Sequence, residues 1–191
     1  MCNSVNYIGY HGTSKECADE ILKGSFFRSK SYDQWLGEGV YFFIDGISDA
    51  REDAENWARN MSFDPKTKTK KYDVLKVLKS SIIAEENHIL DLDTAKGKIF
   101  FLTFRQRFYK EIRAAKKQIK SNCSDGFFIE LIKKKNVTFK PLKIVKCMMA
   151  VKLKESDKVS GTFSRIPNCT ILSVSELDCI NKNEMSLEAM V

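Results

Sequence analysis

Residues 6–24, NYIGYHGTSKECADEILKG, change periodicity midway, and that change decides how the chain begins. Asn6 to Tyr10 reads as a short strand ending in His11-Gly12-Thr13. Thr13-Ser14-Lys15-Glu16 has the form of a capping box, with Thr13 as N-cap and Glu16 three residues on. Cys17, Ala18, Ile21 and Leu22 give the ensuing helix one apolar face, and Gly24 ends it. A polar, aromatic-studded loop from Ser25 to Trp35 leads to Leu36-Gly37-Glu38-Gly39. Val40-Tyr41-Phe42-Phe43-Ile44 follows, a buried strand by its unbroken apolar run.

Outward from this pair of strands the pattern alternates again. Ser48 is placed to cap a second helix, whose Ala50, Ala54, Trp57, Ala58 and Met61 recur at helical spacing. Asp64 to Lys71 reads as a loop, and strands are expected at Val74–Leu78 and His88–Leu90. Phe101, Phe104, Phe108, Ile112, Ala115 and Ile119 stand 3, 4, 4, 3 and 4 residues apart, the stripe of a long amphipathic helix. A fourth helix runs from about Ser124 to Lys135, and strands are expected at Ile144–Leu153 and Thr170–Val174. Residues 1–180 therefore read as one domain, with 181–191 as a polar tail.

The bulk properties bound the function. The 191 residues are 43% hydrophobic and 30% charged, the balance of a globular protein with a real core. No run approaches the roughly 18–20 apolar residues of a membrane helix, and Met1 to Tyr10 has no signal-peptide pattern, so a cytosolic location is expected. Six cysteines lie without any C-x-x-C pair, and only His11 and His88 could join them as ligands, so no metal is expected and the thiols read as reduced core residues. The net charge of +7 is concentrated in Lys66–Lys71, Arg113–Lys120 and Lys133–Lys135. Such runs can meet nucleic acid or an acidic protein, although aromatics are not interleaved with them.

Two features exceed what packing needs. His11 stands where a strand ends, beside Gly12, whose bare backbone can lie against a ligand. A carboxamide offers one donor and one acceptor, matching the N–H and C=O of a single residue, while the histidine can bond a hydroxyl. About thirty residues later a glycine-flanked strand presents Tyr41. Tyr10-His11-Gly12-Thr13 followed by Gly39-Val40-Tyr41-Phe42 resembles the ADP-ribosyltransferase superfamily, in its diphtheria-toxin and poly(ADP-ribose) polymerase branch.

That resemblance implies an α+β fold: a split, mostly antiparallel sheet pair flanked by helices, with an NAD cleft between the sheets. It implies that His11 holds the nicotinamide ribose, that Gly12 and Thr13 hold the carboxamide, and that Tyr41 stacks on the ring. In Ala54-Glu55-Asn56-Trp57, Trp57 matches the aromatic that closes the ring's other side, whereas the family's hydroxyl falls near Ala54, which has none. The family's late glutamate falls at Thr170 on the strand Pro167–Val174; Glu130 and Glu176 are the carboxylates that could replace it. The implied function is NAD-dependent mono-ADP-ribosyl transfer to a protein or nucleic-acid acceptor, in a toxin or defence setting borrowed from the family. A binder of NAD or ADP-ribose without turnover, an NAD glycohydrolase, and a basic nucleic-acid-binding module are the alternatives.

Overall fold

The strand begun at Asn6 does not stop at the histidine. In the computed structural model, which describes residues 3–24, 26–29, 34–64, 66–115, 123–135, 140–154 and 164–188, β1 spans Ser4–Ser14 and carries His11, Gly12 and Thr13 inside it. Thr13 is held in register opposite Lys76, so the helix starts one residue later than its sequence suggests. Ser14, and not Thr13, is the N-cap of α1 (Lys15–Lys23), its hydroxyl accepting from Cys17 N–H at 3.2 Å.

The chain continues as β2 (Val40–Ile44), α2 (Ala50–Ser62), β3 (Phe63–Asp64), β4 (Thr69–Lys70), β5 (Leu75–Glu85), β6 (Ile89–Asp91), α3 (Ala95–Ala114), α4 (Asp125–Lys134), β7 (Ile144–Met149), β8 (Cys169–Val174) and β9 (Ile180–Glu188). The fold is mixed α+β. In place of a pair of split sheets there is one seven-stranded sheet, ordered β6-β7-β8-β2-β1-β5-β9, with β3 and β4 forming a small ribbon. Every described pairing is antiparallel except β6 with β7.

Several elements differ from their sequence reading. Asp49 caps α2 by accepting from Glu52 N–H, while Ser48 turns its hydroxyl onto Asp53. The lysine-rich segment after α2 is not all loop, since Phe63 pairs with Lys70 and Asp64 with Thr69. Up to Glu188 the polar C-terminal stretch is a strand and not a tail: β9 lies against β5 at the sheet edge, where alternate residues need only one apolar face. Ile119 of the phenylalanine stripe lies outside the described residues, and α3 ends at Ala114.

Both faces of the sheet are covered. On one, Ala50 and Ala54 of α2, Phe101 of α3 and Phe128, Ile129 and Ile132 of α4 pack on Phe43, Val77, Val145 and Ile171. On the other, Ala18 and Ile21 of α1 and Phe26 pack on Phe42, Ile44, Leu78, Ile82 and Leu172. Alternation along each strand sorts residues between the layers. It puts Tyr10, Gly12, Tyr41 and Phe43 toward α2, and Gly9, His11 and Phe42 toward α1. Cys169 and Cys179 are buried free thiols, with burial pushing them up to about 12 and about 11, and His88 is tied to Pro141 C=O at 2.8 Å.

Asp53 on α2 gives the fold a titration signature. Burial pushes its carboxyl from 3.8 up to about 6, although the Ser48 hydroxyl that donates to it pulls the other way. The native state thus holds a proton that the unfolded chain releases, so stability from this group is present below pH 3.8 and is lost as pH rises toward about 6. Urea unfolding of the native protein and Asp53→Asn from pH 4 to 7 should show the native protein losing at most ~3 kcal/mol relative to the variant over that interval. Parallel stability curves would remove the assignment.

Candidate functional site

The β1–β2 ladder holds only two pairs, Gly9 with Ile44 and Tyr10 with Phe43. Both strands run on, β1 to Ser14 and β2 back to Val40, but they no longer pair. Their outer ladders stay intact: β1 pairs with β5 from Ser4 to Ser14, and β2 with β8 from Val40 to Ile44. The sheet therefore opens between its two central strands, beside the His-Gly-Thr and Gly-Val-Tyr motifs.

Strand parity tells which backbone groups face this opening. Asn3 C=O accepts from Glu86 N–H at 3.0 Å and Lys15 N–H donates to Val74 C=O at 2.9 Å, both on the β5 side. The register between those ends has no bulge on β1. The N–H and C=O of a strand residue point together, and successive residues alternate, so odd-numbered residues serve β5. Gly12 consequently turns its N–H and C=O toward β2, where its ladder has ended. Among the described residues no ladder pairing serves these two groups, which leaves them to water or a ligand.

Gly12 also admits no side chain. A Cβ there would stand 1.9 Å from the carbonyl oxygen of Ala54 and 3.1 Å from Ala58 Cβ. The glycine lets α2 lie directly on β1, which brings the helix residues 54–57 over this end of the sheet.

His11 bridges the opening. Its Nδ1 lies 2.8 Å from Tyr41 C=O, and because a carbonyl only accepts, Nδ1 carries the proton. Phe26 and Phe42 enclose the ring, at centroid separations of 5.3 and 5.8 Å. Burial holds the imidazole below its ordinary value of 6.5, against the Tyr41 bond that favours the charged form. A neutral ring with Nδ1–H committed leaves Nε2 as a lone-pair acceptor, suited to a hydroxyl.

Tyr41 is tied down at its far end. Its hydroxyl donates to Gly37 C=O at 2.7 Å and accepts from Leu36 N–H at 2.9 Å. Burial raises the phenol to about 12, so it stays a donor at physiological pH. The ring belongs to the α2-side layer with Trp57 and Tyr10, whereas the His11 ring belongs to the α1-side layer. The two predicted anchors thus meet through Tyr41 C=O, not side chain to side chain.

Trp57 is half-buried, and its aromatic neighbours are Trp35, edge-on at 5.3 Å, and Phe43 at 6.5 Å. Trp35 was not singled out in the sequence; a tryptophan next to a Leu-Gly turn, ahead of the tyrosine strand, was its only signal. Thr13 sits in the β5 ladder opposite Lys76.

The predicted glutamate position falls elsewhere along the ladder. Thr170 pairs with Ile44, at the closed end where Ile44 also meets Gly9, and its Oγ1 is buried with no hydrogen-bond partner among the described residues. Ser173 is the β8 residue opposite Tyr41. The separation of three residues corresponds to about 10 Å along a strand. Of the two carboxylates, Glu176 follows β8 and lies 3.7 Å from Arg28. Glu130, on α4, accepts from Glu38 N–H at 2.8 Å and from Lys133 Nζ at 2.7 Å. A separate cavity of about 480 Å³ lies along α3 against Phe100, Phe104 and Phe108, with Lys135 just past α4. It shares no residue with the opening, and Thr103, Arg107, Glu111 and Lys135 stand among its walls.

No protein-family model matches the chain, and no curated protein matches it.

The tyrosine hydroxyl carries a measurable share of this arrangement. Tyr41→Phe keeps the ring and removes both bonds to the 36–37 turn, orphaning Leu36 N–H and Gly37 C=O. Denaturant unfolding should register a loss of about 1–3 kcal/mol. Unchanged stability would mean that the turn is held without the hydroxyl.

Proposed function

We propose that the protein is an NAD-dependent ADP-ribosyltransferase, binding nicotinamide at the β1–β2 opening and moving one ADP-ribose to a macromolecular acceptor. The observation that carries this reading is the His11–Tyr41 bridge across an opening toward which Gly12 turns an N–H and C=O that no ladder pairs among the described residues. Those two groups match a carboxamide. The Nε2 of a neutral His11 matches a ribose hydroxyl, and the Tyr41 and Trp57 rings on the Gly12 face match a flat heterocycle. A strand order with the histidine strand beside the tyrosine strand, and β8 next beyond it, supports the kinship that the sequence motifs imply.

The chemistry follows from these groups. The bond between ribose C1′ and the pyridinium nitrogen breaks, its electron pair leaves with nicotinamide, and positive charge builds on the sugar. An acceptor nucleophile then bonds C1′ and gives up its proton. His11 orients the ribose and Gly12 the leaving amide, so their contribution is positioning. Charge stabilisation is the weaker part. Ser173 and Thr170 on β8 bring hydroxyls and no carboxylate, and losing one well-placed electrostatic group in such sites costs roughly 3–4 kcal/mol. The reaction should accordingly be slow. The burial of Thr170 at the closed end favours a second reading, a domain that binds NAD or ADP-ribose without turnover.

Labelled NAD incubated with the protein and a cell lysate separates the outcomes. Transfer puts label on macromolecules, hydrolysis yields free ADP-ribose, and the binder leaves NAD intact with measurable affinity. His11→Ala and Tyr41→Ala should each weaken NAD binding by about tenfold or more, the worth of a hydrogen bond or an aromatic contact at a ligand. Binding indifferent to both substitutions would refute the site, and labelled nucleic acid retained without NAD would favour a basic binding module.

Because His11 works as a neutral acceptor held below 6.5, NAD affinity should be flat from pH 8 down to about 6.5 and fall only at lower pH. Isothermal titration across that range tests it. A decline centred above pH 7 would contradict the assigned tautomer.

A further inference from the structure

We propose that Glu130 and Lys133 of α4 are positioning residues for this pocket, acting through the Leu36–Gly39 turn on the Tyr41 hydroxyl; the proposal rests on the NAD reading above. They form a buried ion pair at 2.7 Å, with side chains 8% and 14% exposed. Glu130 Oε1 accepts from Glu38 N–H at 2.8 Å, and Lys133 Nζ donates to Glu38 C=O at 3.0 Å. One peptide segment is thus gripped through both its donor and its acceptor. Ser175, just past β8, donates to the same Glu38 carbonyl at 3.3 Å.

Close backbone contact shows how tightly the turn and the helix fit. Gly37 has φ +79, a conformation that favours glycine, and a Cβ there would stand 2.4 Å from Glu130 Oε1. At the start of α4, a Cβ on Gly126 would stand 1.8 Å from Gln34 C=O and 2.9 Å from Gly37 N. The gripped turn is the one whose Leu36 N–H and Gly37 C=O hold the Tyr41 hydroxyl. Glu130 is therefore not a spare carboxylate standing in for the absent one, because its Oε1 is committed to Glu38 and Lys133.

A buried ion pair is a poor way to gain stability, since apolar groups of similar volume serve as well or better. What this pair adds is direction: two polar contacts that fix where the turn sits, and with it the tyrosine ring. The role therefore separates from mere stability. Removing both charges together, as Glu130→Leu/Lys133→Met, avoids leaving either one buried alone.

The test measures three quantities on the full chain: thermal melting, amide hydrogen exchange at Leu36, and the Kd for NAD. In the double variant, melting should stay within a few degrees, Leu36 N–H should exchange about tenfold faster, and the Kd should rise about tenfold. Lys133→Arg alone, which keeps the ion pair with Glu130 and a donor, should leave both quantities close to their native values. If the double variant does not fold, Glu130→Gln is read in the same way, with a smaller rise in both quantities. Leu36 exchange and NAD affinity both unchanged in a folded variant would overturn the proposal. Faster exchange in a protein whose native form binds no NAD would uphold the grip on the turn while refuting the NAD reading.

Discussion

One hydrogen bond, from His11 Nδ1–H to Tyr41 C=O, spans the place where the central sheet stops being a sheet. Two neighbouring strands that both continue but cease to pair leave edge groups exposed to solvent, which ordinarily invites closure or misplaced pairing. The imidazole crosses that opening as a strut. It satisfies a β2 carbonyl that the ladder no longer serves, and it spends only one ring nitrogen in doing so. Burial between Phe26 and Phe42 keeps the ring uncharged, so the strut has a fixed tautomer and a fixed free acceptor.

Everything around the strut keeps the two sides at their spacing. β1 is held along its whole length by β5, and β2 along its whole length by β8, so neither strand can swing to close the opening without breaking an outer ladder. On the α2 side, the glycine at position 12 brings the helix down onto the backbone, and with it Trp57. At the far end of β2, the Tyr41 hydroxyl, the 36–39 turn and α4 form a continuous chain of polar contacts. The result is a rigid frame around a donor and acceptor that no ladder pairs among the described residues, and small-molecule sites are commonly preformed in this way.

The sequence conveyed the elements better than their junctions. The apolar run Val40–Ile44 and the phenylalanine stripe of α3 were legible because burial imposes a period on side chains. The capping positions slipped by one residue at both α1 and α2, since Thr13 and Ser48 are as capable as their neighbours and only tertiary pairing decides between them. The long-range geometry was illegible. Nothing local says that β1 and β2 part after Tyr10 and Phe43, that Trp35 comes back to Trp57, or that a helix more than ninety residues downstream grips Glu38. A strand placed by motif alone also has no register. Thr170 belongs to the expected strand, yet the ladder sets it level with Ile44 and puts Ser173 beside Tyr41.

The most direct test of the frame as a nucleotide site is a crystal structure of the protein soaked or co-crystallised with NAD. The account predicts the nicotinamide amide bonded to Gly12 N–H and C=O in the β1–β2 opening, its ring against Tyr41, and a ribose hydroxyl on His11 Nε2. NAD seated elsewhere, such as the cavity along α3 beside Phe104, or an opening left empty at saturating NAD, would contradict it.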